Sequence, residues 1–165
     1  MKKTFCFYLA LMVPLSAENL FDNSKMDTAG GWKGTKKFVK EESPAAEDQN
    51  TNEAEVKENR VLVVSAKKRD WVEFSQEVAS KGIKDLVLKF RYRTNDYAGR
   101  GLELRGYRQD RSSTFKNYTL VADGQWHEIE WKFTQVGNSN KIDFSFFILE
   151  GEGDVSFDDI TVEPR

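Results

Sequence analysis

The sequence is poor in the residues from which most catalytic centres are built. Its 165 residues include one cysteine, Cys6, and one histidine, His127. A zinc–thiolate site, a multi-histidine metal centre and a cysteine–histidine pair all need more than this supply, and a single cysteine has no partner for an internal disulfide. No G-x-S-x-G turn is present to expose a nucleophilic serine. An excess of positive charge is missing too. Lys and Arg number 25 against 27 Asp and Glu, a net charge of −2, which leaves no electrostatic footprint for nucleic acid. Helical periodicity is weak, and the apolar run from Thr4 to Leu15 falls short of the roughly 20 residues needed to span a bilayer.

That run sits in "MKKTFCFYLALMVPLSAEN", where Lys2 and Lys3 precede it and Ser16-Ala17 offers a small-residue exit. Charge, apolar run and small residues in this order are the pattern of a secretory signal peptide. Residues 1–17 are therefore expected to be removed, giving a secreted or periplasmic protein with no membrane insertion. Cys6 would leave with the signal, and it is too early and wrongly flanked to be a lipidated cysteine. Residues 18–165 have the length of one domain. Without disulfides they need a real apolar core, for which their 10 Phe, 4 Tyr and 4 Trp provide material.

What the chain has in abundance is period-two alternation, the signature of half-buried strands. "RVLVVSA" (60–66) is followed by "DWVEFSQEV" (70–78), with Val72, Phe74, Gln76 and Val78 on one face and Trp71, Glu73, Ser75 and Glu77 on the other. "KDLVLKFRYRT" (84–94), "RGLELRGYRQ" (100–109), "STFKNYTLV" (113–121), "QWHEIEWKF" (125–133), "KIDFSFFILE" (141–150) and "GDVSFDDITV" (153–162) continue the pattern. Gly, Asn and Asp gather between them, at 80–82, 95–99, 122–125, 136–140 and 151–153, as turns require. Short strands are also expected near "NLFDN" and "GWKGTKKFV". Many short strands with no long intervening helix predict an all-β sandwich, immunoglobulin-like or jelly-roll. Residues 40–59, "KEESPAAEDQNTNEAEVKEN", hold no aromatic residue and are expected to form a mobile insertion loop within the domain.

Four segments, in order, resemble the jelly-roll carbohydrate-binding modules attached to bacterial cellulases and xylanases, within the galactose-binding-domain-like group. They are "ENLFDNSKMDTAGGWKG", "VEFSQEVASKGIKDLVLKFRYRT", "DGQWHEIEWKFT" and "GDVSFDDITVE". The 40–59 segment departs from that pattern as an insertion, and "GIKDL" lacks the tyrosine that commonly follows the family's glycine turn. The resemblance implies a jelly-roll fold and non-catalytic binding of a polysaccharide or glycan by a monomer. It also implies a structural Ca2+ held by an aspartate of the last strand with oxygens near the first strand, here Asp158 together with Asp27 or backbone oxygens of 22–31. Calcium suits such hard oxygen ligands. Asp158 shares strand parity with Ile160 and Val162, so it is expected at the edge of the core, where an unpaired carboxylate is costly. A backbone N–H or an arginine would relieve that cost as well as a cation.

Sugars present an apolar C–H face and a rim of hydroxyls, which flat aromatic rings and planar polar side chains match. Trp71, Arg91, Arg93, Tyr97, Glu103, Arg105, Tyr107 and Tyr118 are the candidate ligand-binding residues. If strands 84–94 and 100–109 share a sheet, they form a basic, aromatic-edged surface suited to an acidic or sulfated glycan, since arginine forks match carboxylate and sulfate. Two other uses of such a face stay open: docking of another secreted protein, and a small glycan-active hydrolase or lyase using two of Glu103, Glu128 and Glu130. Outward strand glutamates are otherwise cross-strand partners of arginine and lysine. His127 falls in register with Ile129 and Trp131, as a satisfied, partly buried imidazole would.

Overall fold

In a computed structural model, which describes residues 20–21, 31–34, 37–40, 60–80, 83–134 and 139–165, the alternating runs become ten strands among the described residues. These are β1 (Lys33–Gly34), β2 (Lys37–Lys40), β3 (Arg60–Ser65), β4 (Val72–Ala79), β5 (Leu86–Gly99), β6 (Leu102–Arg108), β7 (Ser113–Tyr118), β8 (His127–Phe133), β9 (Lys141–Ile148) and β10 (Gly151–Pro164). They form two five-stranded sheets, in the orders β1-β4-β9-β6-β7 and β2-β3-β10-β5-β8. Every described pairing is antiparallel. Chain neighbours such as β5 and β6 lie in opposite sheets, as jelly-roll winding requires.

The apolar parity of each strand turns inward and the two inner faces close on each other. Phe74 of β4 stacks on Phe146 of β9 at 4.6 Å, and both meet Phe157 of β10 in the facing sheet, at 5.0 and 6.0 Å. Phe133 and Phe144 meet edge-on across the sandwich at 5.4 Å. Ring pairs of this geometry add to the burial of their area. Trp32 and Trp131 are both buried, and Phe21 packs on Trp32 at 5.2 Å. Gly106 of β6 also points inward. A Cβ there would overlap the Phe133 ring, so glycine admits the larger aromatic from the other sheet.

Two of the expected turns are strand. β5 runs on through 95–99 and β10 begins at Gly151, and the two pair continuously to Gly151↔Gly99. The reversal falls instead at Arg100–Gly101, where Gly101 adopts a φ of 104° that favours glycine. Turn-type residues at 95–99 were misleading because the β5–β10 ribbon takes in glycines where its backbones approach closely: a Cβ on Gly151 would lie 2.7 Å from the Gly99 Cα. Lys40, expected to open the 40–59 insertion, instead closes β2 opposite Arg60. Residues 41–59, the expected signal segment 1–17 and Asp27 lie outside the described residues. Among those described, no helix is long and apolar enough to cross a membrane.

The parity expected for Asp158 is corrected as well. Between Asp158 and Thr161 the β10–β5 register slips by a bulge, with Asp159 at a φ of 50°. Asp158 pairs with Arg91 and therefore shares the outer face of its sheet with it, while Ile160 and Val162 beyond the bulge are buried in the core.

Candidate functional site

The outward residues of the first sheet lie in cross-strand rows fixed by the ladder. One row reads Glu73, Phe147, Glu103, Asn117; the next reads Lys33, Ser75, Ser145, Arg105, Phe115; the third reads Glu77, Asp143, Tyr107, Ser113. Ser75 and Ser145, small and opposite each other, are buried although they face outward, and make a low floor between taller neighbours. Phe115 at the β7 edge is 62% exposed. Trp71, which precedes β4 and has the parity of Glu73 and Ser75, is 60% exposed at the far corner.

Between those two rings the polar groups are organised. Arg105 lies over the Phe147 ring, 4.9 Å from its centroid, forms an ion pair with Glu103, and donates to the Tyr107 hydroxyl at 3.1 Å. The hydrogen bonds with Tyr107 and Glu103 push the Arg105 pKa up and keep it charged. Lys141 donates to Glu77 at 2.6 Å, and this bond holds Glu77 below the usual carboxylate range. Asp143 Oδ1 is buried beside Tyr107 with no hydrogen-bond partner among the described residues. An orphan acceptor of this kind is one a hydroxyl donor would satisfy.

Arg91 and Arg93 do not join this surface. β5 belongs to the second sheet, so the merged basic face expected from 84–94 and 100–109 does not form. Both guanidinium carbons sit 4.8 Å from the centroid of the Trp126 ring on the opposite side of the sandwich. Tyr97 is corrected too: it is only 6% exposed, its hydroxyl donates to the Gly101 carbonyl at 3.2 Å and accepts from the Gly101 N–H at 2.9 Å, and burial pushes its pKa up. It is a strut of the β5–β6 corner rather than a ligand contact. Tyr118 lies on the inward parity of β7, packs against the core, and donates to the Glu130 carbonyl at 3.4 Å. Glu103 and the Glu128–Glu130 pair occupy opposite faces, so Glu103 cannot act with either on one sugar. His127 stacks on Tyr92 at 5.4 Å and bonds Asp123 at 2.9 Å.

Asp158 is paired within its own sheet. Its Oδ2 accepts from Arg91 at 2.5 Å and its Oδ1 from the Asp159 N–H at 2.8 Å, while Arg91 also pairs with Asp159 at 3.1 Å. Both oxygens are thus engaged by groups of the chain itself, while Asp27, the other implied calcium ligand, lies outside the described residues. Among the described residues no group of three or more His, Cys, Asp or Glu stands close enough to hold one.

Phe147, Ser145 and Asp143 were not among the candidates from sequence. The signal was present in "KIDFSFFILE", where Phe147 is an aromatic on the polar parity of an otherwise regular strand. Residues 18–162 match the carbohydrate-binding-module family of the 4/9 type described as BppA domain 1. The chain belongs to that family. Carbohydrate-binding modules of this kind bind without catalysing a reaction. In fold this module is similar to a family 61 carbohydrate-binding module solved with β-1,4-galactotriose, at 16% identity and a TM-score of 0.63, over 90% of this chain and 100% of that one. It is similar to the CBM22-1 xylan-binding domain of Xyn10C from Paenibacillus barcinonensis at 12% identity and a TM-score of 0.60, over 90% and 95% of the two chains. A family 16 carbohydrate-binding module matches at 17% identity and a TM-score of 0.59, over 87% and 99%. No curated protein matches the chain.

Proposed function

We propose that this module, exported by way of residues 1–17, holds a neutral linear glycan across the outer face of its first sheet, from Trp71 to Phe115. The observation that carries this reading is the pairing of two exposed aromatic rings at opposite corners of a face whose centre is polar and low. Three inter-strand steps separate β4 from β7, and four residues separate Trp71 from the Phe115 row. At about 4.8 Å per strand and about 3.4 Å per residue the diagonal is roughly 20 Å, or about four sugar residues at about 5 Å each. The rings would take sugar C–H faces; Arg105, Tyr107 and the unsatisfied Asp143 oxygen would take hydroxyls.

A neutral ligand suits the face better than the acidic one expected from sequence. Arg105 is tied to Glu103, and Glu73, Glu77 and Asp143 offset Lys33 and Lys141. The family 61 module to which the fold is similar was solved with β-1,4-galactotriose, a neutral sugar, which agrees with this choice. Isothermal titration with xylo-oligosaccharides and β-1,4-galacto-oligosaccharides of two to six residues tests it. Affinity for one series should rise to about four residues and then level, and Phe115→Ala should weaken it without altering the fold. Flat affinity from two residues upward, or binding indifferent to both Phe115→Ala and Trp71→Ala, would remove the reading.

A further inference from the structure

The second sheet carries two cavities on its outer side that the site above does not use. One, of about 430 Å³, is lined by Lys89, Arg91, Glu128, Glu130, Asp159 and Thr161 among others. The other, of about 470 Å³, is lined by Arg93, Asn95, Asp154, Ser156 and Gly124 among others. Both are within the range of small-ligand sites, roughly 300–1,000 Å³. They are separate cavities that follow one another along β5, with no lining residue in common. Arg91 borders the first and Arg93 the second, about 7 Å apart on one face, with the Trp126 ring 4.8 Å from each. Together they make an interrupted groove along Lys89, Arg91, Arg93 and Asn95, with β8 on one side, β10 on the other, and Trp126 with its two arginines where the cavities meet.

The charges of the groove define what fits it. Lys89 is paired with Glu163 at 3.2 Å, and Arg91 with Asp158 and Asp159. Two carboxylates at the walls, Glu128 and Asp154, make no side-chain hydrogen bond or ion pair among the described residues. A sulfate or uronate would meet these carboxylates and find the cations already engaged. A polyhydroxylated chain would instead donate to Glu128 and Asp154 and accept from the guanidinium N–H groups and Asn95. With arginines against the Trp126 ring, recognition here would run through hydrogen bonds.

We propose that this groove is a second binding site for a neutral oligosaccharide, so that one module engages two glycan chains on its opposite faces. The ligand class rests on the glycan-binding reading above; none of the residues is shared with it. The test is titration of the full chain with the xylo- or galacto-oligosaccharide that binds, reading stoichiometry by calorimetry and the Trp126 indole N–H by NMR. Two ligands per chain are expected. The Trp126 signal should keep shifting in Phe115→Ala, and the double variant Glu128→Ala/Asp154→Ala should bring the stoichiometry to one. Neither carboxylate holds the fold, so thermal melting should confirm that the double variant is intact. One ligand per chain with a still Trp126 signal overturns the second site and leaves the first. A Trp126 shift unchanged in the double variant overturns it as well. Stillness on both faces overturns both readings.

Discussion

Replacing Asp158 with alanine tests what holds the bulge of β10 in place. The carboxylate is 1% exposed and accepts from Arg91 at 2.5 Å and from the Asp159 N–H at 2.8 Å. Removing one member of a fully buried pair costs about 3–5 kcal/mol. Arg91 is one-third exposed and keeps Asp159 at 3.1 Å, so water and a second carboxylate absorb part of that loss and about 2–3 kcal/mol is expected. For a domain of this size that is a fall in melting temperature of roughly 5–10 °C, read by circular dichroism or scanning fluorimetry. Arg91→Ala should cost a similar amount, and the double variant less than the sum, because the two residues act as one unit. A chelator should leave the wild-type melting temperature where it is. The reasoning fails if Asp158→Ala and Arg91→Ala are additive. It fails equally if EDTA lowers the wild type to the Asp158→Ala value, because a cation bound to the native state, with Asp27 in its shell, would then be the stabilising partner.

Gly106→Ala should destabilise by about 1–3 kcal/mol in urea denaturation, since the added methyl overlaps the Phe133 ring. Tyr97→Phe removes a hydroxyl with two buried partners and should cost about 1–3 kcal/mol with glycan affinity unchanged. Phe115→Ala, at a position 62% exposed, should shift stability by no more than about 0.5 kcal/mol while weakening glycan binding by about 1 kcal/mol, or roughly fivefold. Asp123 is held below the ordinary aspartate range by its hydrogen bonds with His127 and the Gln125 N–H. A carboxyl depressed on folding contributes stability above its unfolded pKa, lost as pH falls through the folded value. Melting curves of wild type and Asp123→Asn should therefore differ at pH 7, begin to approach each other below about pH 4, and meet only below the folded pKa.

Alternation predicted the sandwich because period two is a local property: each apolar residue of 72–78 reports its own facing and those reports agree, and in 142–148 Phe147 alone faces the other way. Trp131 in the core and Trp71 outside follow from the same parity. The assignment of strands to sheets is not local. Nothing in "KFRYRT" or "LELRGYR" states that β5 and β6 part company, so Arg91 and Arg93 were grouped with Arg105 and Tyr107, which the winding places on the other side. Tyr97 misled because Asn95, Asp96 and Gly99 are turn-type residues that a twisted two-strand ribbon also accommodates. At Asp158 a bulge reversed the parity, and a bulge changes the count of residues while leaving the alternation of types legible on each side of it. The Asp-Asp pair was informative as an anomaly; its resolution by Arg91 depended on a pairing 67 residues away.

The central claim is that the outer face of the first sheet is where a glycan binds. Amide chemical-shift mapping during titration with xylohexaose and with β-1,4-galacto-oligosaccharides tests it most directly. At low ligand ratios the largest shifts should fall on 73–77, 103–107, 113–117 and 143–147, together with the Trp71 indole N–H. Shifts led by the end of the sandwich around Lys68, Arg100 and Glu152, or none with either sugar series at millimolar concentration, would contradict it.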